Sequence, residues 1–188
     1  MAKATDFAKT SLLVLIWLIY NVLNYKYIVK LLIFEQLFFI FADMENNIEI
    51  IKFNYSNKEL FEDESKIRRI VFCGEQSCPT EEEFDGFDSI AIHYLLKYNN
   101  KYVCTARRRE TKDGIKLERF AVLKEYRGKG LASKIVEFII NDVEDNGKLV
   151  YLNAQIDARP LYAKFNFKQV GEKFSEVGIW HYRMELEK

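Results

Sequence analysis

The 188-residue chain is short of proline (two), histidine (two) and cysteine (three), and its 28 basic and 28 acidic side chains leave no net charge. Each shortage excludes something. Without surplus positive charge there is no broad electrostatic footprint for nucleic acid, and any anionic ligand needs a local cluster of cations. Three cysteines cannot all pair internally. Cys73, Cys78 and Cys104 match no zinc spacing, and two histidines are too few to complete one. Reduced thiols in a cytoplasmic setting are the simple reading, with no metal. No repeat or low-complexity tract is present. The length suits one domain with a substantial core plus a short appendage.

The appendage is residues 1–43. Residues 11–23 (SLLVLIWLIYNVL) follow Lys3 and Lys9, and residues 27–41 form a second apolar run that contains Lys30 and Glu35. The first run has the charge order of a signal anchor but no small-residue cleavage site. It also falls short of the ~20 apolar residues that span a bilayer. Three readings stay open: a membrane anchor, a pair of interfacial helices, or sequence outside the native product. Met44 opens MENNIEIIKF, where the composition turns from apolar to charged. The expected division is therefore 1–43 and 44–188, with any membrane contact confined to the first part.

From Met44 onward the periodicities alternate. Ile48 to Phe53 reads as a strand, and Asn57 to Phe72 as a helix with Leu60, Ile67, Ile70 and Val71 at helical spacing. The acidic stretch from Cys73 to Asp88 reads as a loop. Three strands follow: Ser89 to Tyr98, Lys101 to Glu110 and Ile115 to Leu123. Asn99-Asn100 and the segment Thr111 to Gly114 supply the turns. A helix from about Lys129 to Glu144 and a short strand from Leu149 to Ala154 imply a parallel crossover. A helix from Arg159 to Phe165 and strands Lys168–Phe174 and Ile179–Glu187 close the chain.

The chemistry concentrates in LERFAVLKEYRGKGLASKIV, Leu117 to Val136. A strand runs into Arg127-Gly128-Lys129-Gly130-Leu131-Ala132 and directly into a helix. Two glycines let consecutive amides curl into one concavity at a helix N-terminus, where the macrodipole favours negative charge. Arg127 and Lys129 add side-chain charge. The spacing fits neither a dinucleotide fingerprint nor a Walker loop.

Arg-x-x-Gly-x-Ala after a strand resembles the acetyl-CoA motif of the GNAT acetyltransferases. Asn153-Ala154-Gln155 and the segment Leu161 to Phe167 continue the match, with Asn166 at the family's glycine. The segment Val71 to Pro79, with Asp85, Asp88 and Gly178-Ile179-Trp180-His181, is similar to the ElaA-type branch. The resemblance implies an α/β (α+β) fold: a mixed, mostly antiparallel central sheet, a parallel splayed pair at the acetyl-CoA site, and helices on both faces. It implies acetyl-CoA bound by Phe120, Ala121, Val122, the segment from Arg127 to Ala132, Asn153, Tyr162 and Phe165. An amine near its ordinary pKa of 10.4 is mostly protonated at pH 7, so a base is needed. Glu118 is the candidate, with an ion-paired surface carboxylate as the alternative. Tyr162 is the candidate acid for the leaving thiolate, with a core tyrosine as the alternative.

The acceptor side is read from Glu75, Gln76, His93, Arg107, Arg109, Glu118 and His181. The two histidines either line the acceptor pocket or bond to backbone. Arg107 and Arg109 alternate on one strand face, with Arg119, Arg68 and Arg69 nearby, and guanidinium suits phosphate. A phosphorylated amine such as glucosamine 6-phosphate is the expectation, as in the glucosamine-phosphate N-acetyltransferases. A protein or peptide acceptor and a non-catalytic binding module are the rival readings. The arginines pairing with the acidic loop is the competing structural account. No nucleic-acid partner is expected, and a homodimer is compatible with the sequence.

Overall fold

The computed structural model describes residues 48–143 and 147–187, together with the helical positions 15, 17, 20, 21, 25 and 30. The chain divides into two compact units, Met1–Asn46 and Asn47–Lys188. The readings of residues 1–43 lie almost wholly outside the described residues. Among the described residues, no helix is long and apolar enough to cross a membrane.

The second unit holds a seven-stranded sheet of order β1-β2-β3-β4-β5-β7-β6. The strands are β1 Ile48–Asn54, β2 Ile92–Tyr98, β3 Lys101–Thr111, β4 Gly114–Val122, β5 Val150–Gln155, β6 Phe167–Glu176 and β7 Ile179–Leu186. The helices are α1 Lys58–Arg68, α2 Thr80–Glu83, α3 Leu131–Val143 and α4 Arg159–Ala163. Only β4 and β5 pair in parallel. The other neighbours are antiparallel, as the expected mixed sheet requires.

Local chemistry sets these elements. The Asn57 side chain caps α1 by accepting from the Leu60 amide. Asn99 and Asn100 both take positive φ, which makes the tight β2–β3 turn. At Gly114 a Cβ would sit 2.2 Å from the Leu149 carbonyl oxygen, so only glycine lets β4 start beside β5. Asn166, at the glycine position of the motif it resembles, has φ +61°.

Successive side chains of a strand point to opposite sheet faces, and each face has its own core. Leu131, Ile135, Val136 and Ile139 of α3 pack with Leu96, Val103, Ile115, Leu117, Leu152 and Met184. On the other face Ile67 and Val71 pack with Phe53, Leu95 and Ala121. Helices therefore cover both faces, as expected.

Three boundaries differ from the sequence reading by more than two residues. The first helix stops being α-helical at Arg68, and Arg69–Glu75 continues as a π-helical stretch. The Gln76 amide there donates to the Val71 carbonyl, five residues back. The expected loop from Cys73 to Asp88 contains α2 and part of a 3₁₀ turn, Phe87–Ile90. That turn delays β2 from Ser89 to Ile92. Periodicity alone cannot see such short turns, because ion pairs formed across the fold hold them.

Two features of β4 shape the site. Its pairing with β5 lasts only from Ile115↔Val150 to Leu117↔Leu152, after which the strands part. Its register with β3 shifts between Arg107↔Glu118 and Thr105↔Ala121, which sets Arg119 and Phe120 against the single residue Ala106. Arg119 absorbs this bulge with φ +59°.

Candidate active site

Beyond Leu117 the β5-facing edge of β4 has no strand partner. An extended ligand can add there as a strand would, alongside Phe120, Ala121 and Val122. At the far end the chain turns through Lys124–Tyr126 and enters α3. Gly128 and Gly130 both have φ +77°, and a Cβ on either would meet nothing within 4 Å. The Lys134 amide closes the first helical bond to the Gly130 carbonyl, 3.2 Å. The amides of Leu131, Ala132 and Ser133 precede it and have no intrahelical acceptor. Free amides, open space and a helix N-terminus fit a pyrophosphate. Leu131 contributes only its amide, since its side chain is core. Arg127 donates to the Val122 carbonyl and pairs with Glu75 at 2.8 Å. It therefore braces the loop between β4 and the π-helical stretch. Lys129 lies over the rings of Tyr98 and Tyr126.

The splay opens a cavity of about 170 Å³. Its floor is the sheet face bearing Lys116, Glu118, Asn153, Gln155 and His181, and its wall includes Phe72, Gln76 and Cys78. The β6–β7 turn adds Glu176, Val177 and Ile179. Gln76 is tied to Gln155 at 3.0 Å, and Asn153 donates to Glu176 at 2.7 Å.

Beside the cavity lies an ion-pair network in which five cations, Arg68, Arg107, Arg109, Lys116 and Arg119, meet five carboxylates, Glu64, Glu83, Asp85, Asp88 and Glu118. The charges balance. Arg107 is fully buried and donates to both Asp85 oxygens, to Asp88 and to Glu118 at 2.7–2.9 Å. Burial alone would raise the Asp85 carboxyl, but Arg107 and Arg119 outweigh it and hold it at about 2. Glu118 follows the same balance. Burial pushes it up, while Arg107, Lys116 and Arg109 push harder and leave it below the usual carboxylate range.

This network corrects several expectations. Arg107 and Arg109 do converge, but on Glu118 and the acidic segment, so neither guanidinium is free for a phosphate. Arg109 also stacks over Phe87. His93 does not line the cavity. It is fully buried, with Nε2 donating to the Asp88 carbonyl at 2.9 Å and Nδ1 2.8 Å from Glu64. Glu75 faces Arg127 rather than the cavity. Phe165 lines a second cavity of about 530 Å³ beside the end of α3. Sequence patterns could not separate these cases. A strand arginine beside an acidic loop has the same spacing whether it binds a ligand or the loop.

Tyr162 and His181 both line the cavity. Tyr162 is buried against Phe120 and Phe167, yet it lines the cavity. Burial, with a smaller push from Cys104, holds its phenol well above the usual range and therefore protonated. His181 is only 7% exposed and stacks on Phe174. The cavity wall around Val177 was not foreseen. Val177 has φ +49° and Gly178 +76°, a two-residue turn in which a β-branched residue is strained.

The family model for the acetyltransferase (GNAT) domain matches residues 72–188. The uncharacterized N-acetyltransferase YjcF of Bacillus subtilis (strain 168) is 36% identical over 131 residues, covering 68% of this chain and 93% of YjcF. The crystal structure of Escherichia coli ElaA is similar with a TM-score of 0.68 and 27% identity, covering 74% of this chain and 99% of ElaA. An acyl-CoA N-acyltransferase from Pseudomonas aeruginosa shares the fold at a TM-score of 0.66 and 24% identity, covering 74% and 99%.

Proposed function

This chain belongs to the GNAT family of acetyl-CoA-dependent N-acetyltransferases, and from that premise we propose that its acceptor is a small primary amine held in the cavity between β4 and β5. The observation that carries the reading is the cavity itself. It is small, it opens where the two strands part, and Glu118 and Tyr162 both line it.

The residues divide the work. The free amides at the start of α3 hold the pyrophosphate of acetyl-CoA, and the unpaired edge of β4 orients the pantetheine arm. Bound there, acetyl-CoA supplies an activated acyl group. Glu118 faces the cavity as a carboxylate already clasped by three cations. Those cations hold its pKa down and make it a poor proton acceptor. Tyr162 stays protonated and supplies a proton to the sulfur as charge develops there. The free thiols of Cys73, Cys78 and Cys104 suit a reducing compartment such as the cytoplasm.

A phosphorylated amino sugar has less support than the sequence suggested, because its anion site would have to be taken from the carboxylates that already hold Arg107 and Arg109. The test is release of CoA thiol with a panel of amino sugars, aliphatic and aromatic amines, polyamines and lysine peptides. Turnover of small amines is expected, with kcat/KM for glucosamine and glucosamine 6-phosphate within about threefold. A preference for the phosphate of about 30-fold or more, the worth of one good phosphate contact, would restore the sugar-phosphate reading. Activity on lysine peptides alone would point to a protein acceptor.

A further inference from the structure

Glu118 leaves a gap in the chemistry. Its Oε1 accepts from both Arg107 and Arg109, and Lys116 lies 3.3 Å from Oε2. A carboxylate so occupied takes up a proton poorly. We propose that His181 is the general base of the transfer, with its Nε2 taking the proton of the acceptor's ammonium. The proposal rests on the acetyltransferase reading above and names a further catalytic residue within it.

The geometry of the ring carries the argument. His181 Nδ1 lies 2.8 Å from the Ile179 carbonyl oxygen, which can only accept, so Nδ1 bears the hydrogen. In the neutral ring the lone pair then sits on Nε2. Nε2 has no hydrogen-bond partner among the described residues and is not sealed from solvent. The residue is 7% exposed, so the little surface it keeps includes this nitrogen, and the residue lines the cavity. Phe174 stacks on the ring and fixes its plane. The pairing of His181 with Gln155 across β5 and β7 sets it on the same sheet face as Asn153 and Glu118. A buried ring with one nitrogen anchored to backbone and the other left open toward the reaction cavity is the arrangement a base needs.

The step balances. The ammonium N–H bond breaks and its proton passes to Nε2, which frees the nitrogen lone pair to form the C–N bond at the thioester carbonyl. As the C–S bond breaks, Tyr162 protonates the sulfur. The nitrogen loses a second proton once the C–N bond has formed, and that proton replaces the one Tyr162 gave up. The imidazolium then releases its proton to solvent. The products are the amide, the CoA thiol and one proton.

The test uses the full chain and two variants, His181→Gln and Glu118→Gln. The amine is the one with the highest kcat/KM in the panel above. His181→Gln is expected to lower kcat about 10²-fold or more, with acetyl-CoA affinity unchanged, and added imidazole should restore part of the rate. Glu118→Gln is expected to lower kcat less than His181→Gln does, because the carboxylate it removes is already occupied by cations. Acetyl-CoA hydrolysis without amine gives a second readout, and His181→Gln should slow it as well. The third readout needs no turnover. In the 15N-labelled enzyme, nitrogen NMR should show His181 with Nδ1 protonated and Nε2 bare. A kcat within threefold of the parent enzyme, or a proton found on Nε2 of the neutral ring, overturns the assignment. Should no amine in the panel be acetylated, the acceptor reading fails separately, and the NMR and hydrolysis readouts still decide the fate of His181.

Discussion

Replacing Arg107 by leucine separates a structural arginine from a ligand-binding one. The side chain is fully buried and makes four charge-assisted hydrogen bonds, to Asp85 Oδ1 at 2.9 Å, Asp85 Oδ2 at 2.8 Å, Asp88 Oδ1 at 2.7 Å and Glu118 Oε1 at 2.9 Å. Leucine fills much of the volume but leaves the network one positive charge short. Each carboxylate keeps some support. Asp85 retains Arg119, Asp88 retains Arg68, and Glu118 retains Arg109 and Lys116. The loss therefore belongs in the range of breaking one buried pair, about 3–5 kcal/mol. For a unit of this size that corresponds to roughly 10–15 °C in melting temperature. The assay is thermal unfolding followed by circular dichroism between pH 2.5 and 7.5. The sign of the pH effect follows from Asp85. Its folded pKa of about 2 lies below the ordinary carboxylate value, so its pairing stabilises the fold above about pH 4. That stability is lost as the pH falls toward 2. The variant lacks the Arg107 share of it throughout, so the two melting curves should draw together at the acid end. A melting temperature within about 3 °C of the parent at pH 7, coupled to a large rise in acceptor KM, would refute the reasoning and return Arg107 to the acceptor site.

Two further outcomes test the cofactor side and the acid. Gly130→Asp places a side chain and a negative charge in the open space beside the free amides, on a backbone with positive φ. Isothermal calorimetry should show acetyl-CoA binding weakened by at least about tenfold, and unchanged affinity would move the pyrophosphate elsewhere. Tyr162→Phe keeps the ring against Phe120 and Phe167 but removes the proton. It should lower kcat about 10²-fold with acetyl-CoA affinity preserved, and a near-parental kcat would return Tyr162 to the core.

The loop proposed to hold the cofactor was legible in the sequence because it is local. Arg127 to Ala132 is one contiguous segment, and glycine chemistry with a helix N-terminus dictates its shape wherever it stands. Asn99-Asn100 and Asn166 were legible for the same reason, since few residues take positive φ without strain. The order of strands and helices also followed from periodicity, apart from the π-helical stretch and the short turns after it. The acceptor half is assembled from α1, α2, β3, β4, β5 and β7, and there the spacing of residue types left two accounts of the same arginines. Tertiary structure decided between them. Burial removes water from Arg68 and Arg107, a buried cation needs carboxylates, and the acidic segment from Glu81 to Asp88 folds back to provide them. The same folding left Glu118 neutralised, set His93 inside the core against Glu64, and set His181 on the cavity lining with Nδ1 bonded to the Ile179 carbonyl. Sequence alone fixes which side chains are present and how near neighbours are spaced. It does not fix which of two chemically equivalent partners a charge meets once the strands come together.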